Sequence, residues 1–482
     1  MTIIKEMESD DRCTRMVPSE PEQESPQFLV ALAVNIIVFS AGATVAWSSP
    51  ALARMRSPNA TLPLTAEEAS WVGSILAMGA FLGSIPAGSM VDFFGRKWVI
   101  MSISVPIMIS WILVYCATTV NMICIARFIA GIAVGAVYAT VPVYLVEIAE
   151  DSTRGSLGAM FQLMSSNGGL YVYIIAAIFP YTELPLLCGL LNIMFLIFFF
   201  KAPESPIYLI QKGRRSEATD ALIYLRGKQH NIHKDLEEME EEINSNIAEK
   251  GTFLKELSKR SNVLSLLVCL TLVFFQQLSG INAVFFFLEG VFQDAGTFEP
   301  AIPTIIAGVA QTIANFLSTV LIDFTGRRIL LQISSTMMAV CMAILGYYFH
   351  EKTKGSDVTE FGAVPLIAVV AFIFMYSVGF GPISFLMSGE ILPPEIKVTG
   401  LGIVSSFQWI CAFAVTKAFQ PINDALGPAT SYWIFAAICV LGFFFSTFII
   451  IETKGKSFLE IQEEMFGQKY ERIKIIKSNG II

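Results

Sequence analysis

Hydrophobic stretches long enough to cross a bilayer recur along this chain, and they leave it few ways to fold. A spanning helix needs roughly 20 mostly apolar residues to cross the hydrocarbon layer. Twelve candidates meet that length, at about 28–50, 71–91, 98–118, 121–145, 156–179, 184–200, 263–288, 302–323, 329–349, 363–388, 399–420 and 430–451. The 482 residues are 54% hydrophobic and 15% charged, which does not suit a soluble globular protein. Backbone in lipid must satisfy its own hydrogen bonds, so the expected fold class is an all-α membrane protein of twelve transmembrane helices. The first 27 residues are polar and acidic, and no cleavable signal peptide is expected.

Charge placement sets an expected orientation. With the N-terminus in the cytoplasm, inside segments carry 26 of the 32 Lys and Arg residues. Among short loops alone, six basic residues lie inside (Arg96, Lys97, Arg154, Arg327, Arg328 and Lys397) and four lie outside (Arg54, Arg56, Lys352 and Lys354). Both termini are then cytoplasmic. The N-x-S/T sequon at Asn59 falls in the first outside loop, where glycosylation would be possible. Cysteines such as Cys116, Cys188 and Cys439 sit in or at apolar spans as packing residues, and no C-x-x-C spacing occurs. His230, His233 and His350 are expected in loops, and no metal site or cofactor is expected.

The chain repeats itself. Residues 201–262 hold eleven basic and eleven acidic residues and break the hydropathy pattern in the middle. They read as short amphipathic cytoplasmic helices, or alternatively as a solvated linker. Either way they divide twelve spans into six plus six. D-F-F-G-R-K (Asp92 to Lys97) follows span 2, and D-F-T-G-R-R (Asp323 to Arg328) follows span 8. Span 4 ends in a stretch with Glu147 and Arg154, and span 10 in one with Glu390 and Lys397, each pair seven apart. Span 6 ends at P-E-S-P around Glu204, and span 12 at I-E-T-K-G around Glu452. These marks all fall on one face, where acids and bases from neighbouring helix ends can pair. Paired they would latch that side shut, and separated they would be solvated. The expected organisation is a tail over 1–27, a six-helix half over 28–200, linker helices over 201–262, a second half over 263–451 and a tail over 452–482. Two parallel six-span repeats are the architecture of major facilitator transporters.

Span 7 poses a question of its own. It contains Q-Q-L-S-G-I-N, with Gln276, Gln277, Ser279 and Asn282 near its middle. Each amide left in lipid without a partner costs several kcal/mol, so these groups must face protein, water or a ligand. On an ideal helix Asn282 lies about 140° around the axis from Gln277. Both reach one ligand only if the helix bends, and Gly280 sits where it could.

Taken together these motifs resemble the sugar porter family. The resemblance rests on D-F-F-G-R-K, R-F-I-A-G-I-A-V-G in span 4, P-E-S-P, Q-Q-L-S-G-I-N, D-F-T-G-R-R, G-F-G-P-I-S-F and E-T-K-G, in the family's order over about residues 28–460. The outer-loop text T-A-E-E-A-S-W-V-G-S, Thr65 to Ser74, is similar to insect trehalose and glucose transporters. The resemblance implies that Gln276, Gln277 and Asn282 contact a sugar, since an amide offers both donors and an acceptor to hydroxyl groups. It further implies sugar contacts for Gln162, for Gln311 where an Asn is usual, for Phe385 where a Trp is usual, and for Gln408 and Trp409. For Gln311 and Gln408 an interhelical hydrogen bond is the competing reading. Gly379, Gly381 and Pro382 are expected to give span 10 a flexible break. Departures occur at Ser377, Ser384, Ala412 and Lys397, and Lys cannot make the bidentate fork of the usual Arg.

The expected function is facilitated transport of trehalose or glucose at the plasma membrane, with the lipid bilayer and a small sugar as partners and no nucleic acid. In proton-coupled relatives an Asp in span 1 works beside the span 4 Arg. Here Arg127 is present but span 1 holds no Asp or Glu, which favours a uniporter. A proton symporter using another acid and a sugar sensor without useful flux are the alternatives. No nucleophile–base or paired-acid motif points to an enzyme.

Overall fold

A computed structural model describes residues 26–57, 60, 62–150, 153–227, 232–248, 257, 259–296 and 299–466, among which there is no strand. Twelve helices are long and apolar enough to cross a membrane: Pro26–Met55, Ala66–Phe94, Arg96–Tyr115, Val120–Ile148, Gly155–Ile178, Tyr181–Phe199, Arg260–Ala295, Ala301–Ile322, Arg327–Thr353, Val364–Ile391, Lys397–Leu426 and Pro428–Phe448. They are spans 1 to 12 below. Span 9 runs past its expected end, so His350 lies on the helix, with its ring centroid 5.1 Å from that of Trp433 in span 12. His233 is likewise helical rather than in a loop, within Ile232–Ala248. Asn59 and His230 fall outside the described residues.

Spans 1 to 6 pack as one body and spans 7 to 12 as another. In the first body, spans 1 and 5 and spans 2 and 4 cross on glycine. A Cβ added at Gly42 would lie 2.0 Å from the carbonyl oxygen of Ser165, and one at Gly168 would lie 2.0 Å from that of Phe39. The second crossing is also reciprocal: a Cβ added at Gly83 would lie 2.0 Å from the oxygen of Ile132, and one at Gly135 would lie 2.1 Å from that of Ala80. Lipid tails give no hydrophobic push between helices, so close backbone approach is what holds these pairs. In the second body spans 9 and 12 meet at a glycine of another kind, where the Trp433 ring lies 2.5 Å from the place of a Cβ on Gly346.

The charged middle segment forms helices Pro206–Gln211, Arg215–Arg226 and Ile232–Ala248. Tyr208, Leu209, Ala218, Ala221, Leu222 and Leu236 make a small core of their own. The side chain of Ser205 caps the first of these helices, accepting from the Tyr208 N–H at 3.3 Å. Arg226 and Asp235 form a mostly buried ion pair within the segment.

Spans 7 and 10 are each broken in the middle. Span 7 is α-helical over Arg260–Gln276 and again over Asn282–Ala295, with a wide turn at Gln277–Ile281 between them. Gly280 has φ +93°, a conformation that L side chains rarely adopt, and this is where the sequence placed the bend. Span 10 has its wide turn at Tyr376–Phe380, followed by Gly381 and Pro382 at the start of a new helix. Pro is tolerated there because the first N–H groups of a helix have no intrahelical partner.

Gly83→Val forces a side chain into the backbone of span 4. It is expected to cost about 1–3 kcal/mol and to lower the Tm of the detergent-solubilised protein. The same change at Gly88, which has open space around its Cβ position, is expected to leave the Tm near that of the parent.

Candidate functional site

The broken turn of span 7 collects its amides. The Asn282 amide donates to Gln277 Oε1, and Gln277 Nε2 donates to Gln276 Oε1 at 3.0 Å. Gln276 Nε2 then reaches span 10, donating to the carbonyl of Gly381 at 2.8 Å and to that of Phe380 at 3.3 Å. Gln276 and Gln277 are buried and Asn282 is half-buried. The relay answers how a membrane span carries so many amides: each one partners the next, and the last partners backbone carbonyls at the break of span 10. The bend at Gly280 is what brings Gln277 and Asn282 to one side of the helix. A Cβ at Gly280 would lie 2.4 Å from the ring of Phe435, so its position is fixed by packing as well as by its φ.

The break in span 10 is satisfied from three directions. Besides Gln276 of span 7, Ser318 of span 8 donates to the Val378 carbonyl at 2.8 Å. Ser334 of span 9 donates to the Met375 carbonyl at 2.8 Å and accepts from the Phe380 N–H at 3.2 Å. Ser384, standing where a Pro is usual, donates to the Phe380 carbonyl at 2.7 Å. Nothing in the sequence pattern singled out Ser318 or Ser334, because a lone Ser in an apolar span has no spacing signature.

Trp409 is buried, with its ring centroid 5.9 Å from that of Tyr138 of span 4, edge to face. Tyr138 also meets Phe161 of span 5 edge-on at 5.3 Å and bonds Ser165. This tyrosine links the two bodies near mid-span and was missed in the sequence, where it reads as one more apolar residue of span 4. Gln162 is exposed next to Phe161, and Gln311 and Gln408 are half-buried. Phe385 is 38% exposed. The structure therefore wires Gln276, Gln277 and Asn282 together, and leaves Gln162, Gln311, Phe385 and Gln408 outside that relay.

Arg127 is fully buried in span 4. It donates to the Thr44 carbonyl at 2.6 Å and to the Ser48 hydroxyl, and its guanidinium lies 5.1 Å from the Trp47 ring centre. No carboxylate partners it among the described residues.

The repeated charged marks form two matching networks on one face, called here the marked face. Arg96 grips Glu147 through Nε at 2.9 Å and Nη2 at 2.8 Å, and its Nη1 lies 3.1 Å from Asp92. Glu204 Oε1 accepts from the N–H groups of Arg96 at 2.9 Å and Lys97 at 3.0 Å. In the second body Arg327 Nη2 lies 3.3 Å from Glu390. Glu452 accepts from the N–H groups of Arg327 at 2.9 Å and Arg328 at 3.0 Å. In each body, then, a carboxylate from beyond the sixth helix caps the start of the third, where free N–H groups and the helix dipole both favour an anion. The glycine of the motif follows from this. Gly95 and Gly326 have φ +98° and +92°, and a Cβ there would lie 2.5 Å from Glu204 Oε2 or 2.7 Å from Glu452 Oε2.

All these pairs join helices within one body. Lys397 is exposed and has no ion pair among the described residues, while the side chains of Arg154 and Asp323 are not described. Among the described residues, hydrogen bonds between the bodies are found at mid-span and at the opposite face. Thr312 Oγ1 donates to Asn167 Oδ1 at 3.1 Å, and Ser49 Oγ accepts from the Glu289 N–H at 2.9 Å. Arg56 donates to Gln420 Oε1 at 3.4 Å, and Ser70 donates to the Lys417 carbonyl at 2.9 Å. Among the described residues no ion pair on the marked face joins the two bodies, whereas the opposite face holds hydrogen bonds between them.

Comparison with known proteins follows the same lines. The family described as Sugar (and other) transporter matches residues 15–465. The facilitated trehalose transporter Tret1 of Drosophila mojavensis is 39% identical over 445 residues, covering 92% of this chain and 52% of that one. The chain spans about half the length of the first curated relatives it matches. A Tret1-2 homolog of Drosophila sechellia is 38% identical over 470 residues, covering 96% of each chain. The inward-open xylose transporter XylE from E. coli matches in structure with a TM-score of 0.76 at 23% identity, covering 91% of this chain and 100% of that one. The proton:xylose symporter XylE bound to 6-bromo-6-deoxy-D-glucose matches with a TM-score of 0.70 at 23% identity, covering 91% and 99%. At that identity the likeness is one of fold: twelve transmembrane helices in two pseudo-symmetric six-helix halves, the major facilitator fold.

Burial raises the Glu452 carboxyl, but N–H donors from Arg327, Lys454, Arg328 and Thr453 outweigh it and hold the carboxyl below its ordinary 4.5. A folded-state value below the unfolded one stabilises the fold above about pH 4.5, and that stabilisation disappears as pH falls through the folded value. The Tm of the solubilised protein is therefore expected to drop on acidification below pH 4.5, and Glu452→Gln is expected to start lower and to drop less. Equal acid sensitivity in both proteins would show that the cap carries no such linkage.

Proposed function

The chain belongs to the sugar transporter family, and on that premise we propose that it carries trehalose or glucose down its gradient across the plasma membrane by alternating access. The observation that carries this reading is the Asn282–Gln277–Gln276 relay at the break of span 7. It holds uncharged donors and acceptors at mid-membrane, and sugar hydroxyls can exchange with those hydrogen bonds without a charge being stranded. Gln162, Gln311, Phe385, Gln408 and Trp409 complete the proposed binding set. The names of the insect relatives favour trehalose over glucose.

The positive-inside bias makes the marked face cytoplasmic, with both termini on that side. The opposite face is then extracellular, and the structure corresponds to an inward-facing state. The ion-pair networks keep each half rigid while Gly280, Gly379, Gly381 and Pro382 supply the bends. Asn59 is the proposed glycosylation site.

Two observations favour a uniporter. Span 1 has no acid, and the buried Arg127 is held by a carbonyl, a hydroxyl and a ring instead of a carboxylate. A protonatable group that recharges on each cycle is what a proton symporter would need there.

Uptake of labelled trehalose and labelled glucose in cells lacking their own transporters tests the proposal. Trehalose uptake is expected to survive an uncoupler and to fall at least about tenfold in Gln277→Ala, because a site built for hydrogen bonds penalises an unpaired partner. Glucose uptake alone would change the substrate, collapse under the uncoupler would restore the symporter reading, and no flux from surface-resident protein would leave a sensor.

A further inference from the structure

Lys417 is a cation within span 11, and it has no ion pair among the described residues. Its Nζ lies 4.2 Å from the centre of the Trp71 ring, which belongs to span 2 of the other half. One turn earlier on span 11, the ring centroid of Phe413 lies 6.3 Å from that of Trp71. The neighbouring Ser70 donates to the carbonyl of Lys417 itself at 2.9 Å. Trp71 is thus set against two side chains four apart on the facing helix, and the adjacent hydroxyl pins the same turn. The start of span 2 is fixed by a capping box, in which Thr65 Oγ1 accepts from the Glu68 N–H at 3.2 Å and Glu68 Oε2 accepts from the Thr65 N–H at 2.9 Å. The tryptophan is therefore presented on a rigid helix end.

We propose that the Lys417–Trp71 contact is an outer latch that sets how often the extracellular side opens. This rests on the alternating-access reading, because the contact joins the two halves and must break when span 2 parts from span 11. The ring quadrupole attracts a cation over the indole face, and here Lys417 is half-buried while Trp71 stays 38% exposed. The latch biases the equilibrium toward the inward-facing state, and it does so without a carboxylate. The marked face differs: there the charges pair within each half, and no comparable contact crosses between the halves among the described residues. Lys417 touches no proposed sugar ligand, so it is a positioning residue.

A reporter cysteine, Val291→Cys, placed in the closed outer pocket lined by Arg56, Phe287, Gln420 and Tyr432, reads the latch without any sugar. Its labelling by a membrane-impermeant thiol reagent is measured on intact cells, above the chain lacking the reporter. Lys417→Met and Trp71→Leu are each expected to raise the labelling rate about threefold to fivefold, as loss of a partly exposed cation–π contact implies. In zero-trans uptake by chains without the reporter, the same variants are expected to lower the external KM relative to the internal one. Lys417→Arg keeps the cation over the ring and is expected to stay near the parent in both measurements. Unchanged labelling in Lys417→Met, or Lys417→Arg behaving like Lys417→Met, would overturn the latch. Raised labelling in a chain that takes up no sugar would uphold the latch and count against the proposed substrate alone.

Discussion

Every backbone N–H and C=O inside the hydrocarbon layer must find a partner within the protein, and the rest of this structure depends on how that demand is met where helices break. An unbroken span meets it alone. Spans 7 and 10 do not, and their breaks are adjacent, so span 7 helps to satisfy span 10. Gln276 from the break of span 7 takes the carbonyls of Phe380 and Gly381 in span 10. Ser318 and Ser334 take the carbonyl of Val378 and the N–H of Phe380. A substrate-sized polar site in a membrane needs irregular backbone, and irregular backbone needs such side chains. The amides of span 7 that satisfy these breaks are the same ones proposed to meet the sugar.

The second organising interaction is the carboxylate over a helix start. Glu204 and Glu452 come from the chain just beyond the sixth and twelfth spans and return to cap the third and ninth. They close each half into one body, with Arg96–Glu147 and Arg327–Glu390 tying the fourth and tenth spans to the same point. Between the bodies, span 2 packs along span 11, span 5 along span 8 and the end of span 1 along span 7, and single hydrogen bonds, ring edges and a cation over an indole join these faces. Rigid bodies joined by replaceable contacts can exchange one closed face for another at small cost, which is the physical requirement for alternating access.

Much of this was legible in the sequence. Hydropathy located all twelve spans, because each must be apolar along its length. The repeated marks located the two halves. The glycines of those marks could be read as turns, but their closeness to Glu204 and Glu452 could not, since that contact joins segments more than 100 residues apart. The bend at Gly280 was predictable from the geometry of two amides on one helix. Tyr138 was not found, nor was the contact of Lys417 with Trp71, because an aromatic residue in an apolar span has the same pattern whether it faces lipid or the partner half.

By itself the sequence determined the span count, the twofold repeat, the break in span 7 and the family, since each follows from local composition, spacing or a contiguous motif. Only the tertiary structure decided which groups pair: that the charged marks bind within each half, that Gln276 serves span 10, and that hydrogen bonds join the two halves at mid-span and at the face opposite the marks. Pairing depends on helix rotation and on which helices become neighbours. A sequence in which most positions are apolar specifies burial strongly and azimuth weakly, so those choices are made by packing.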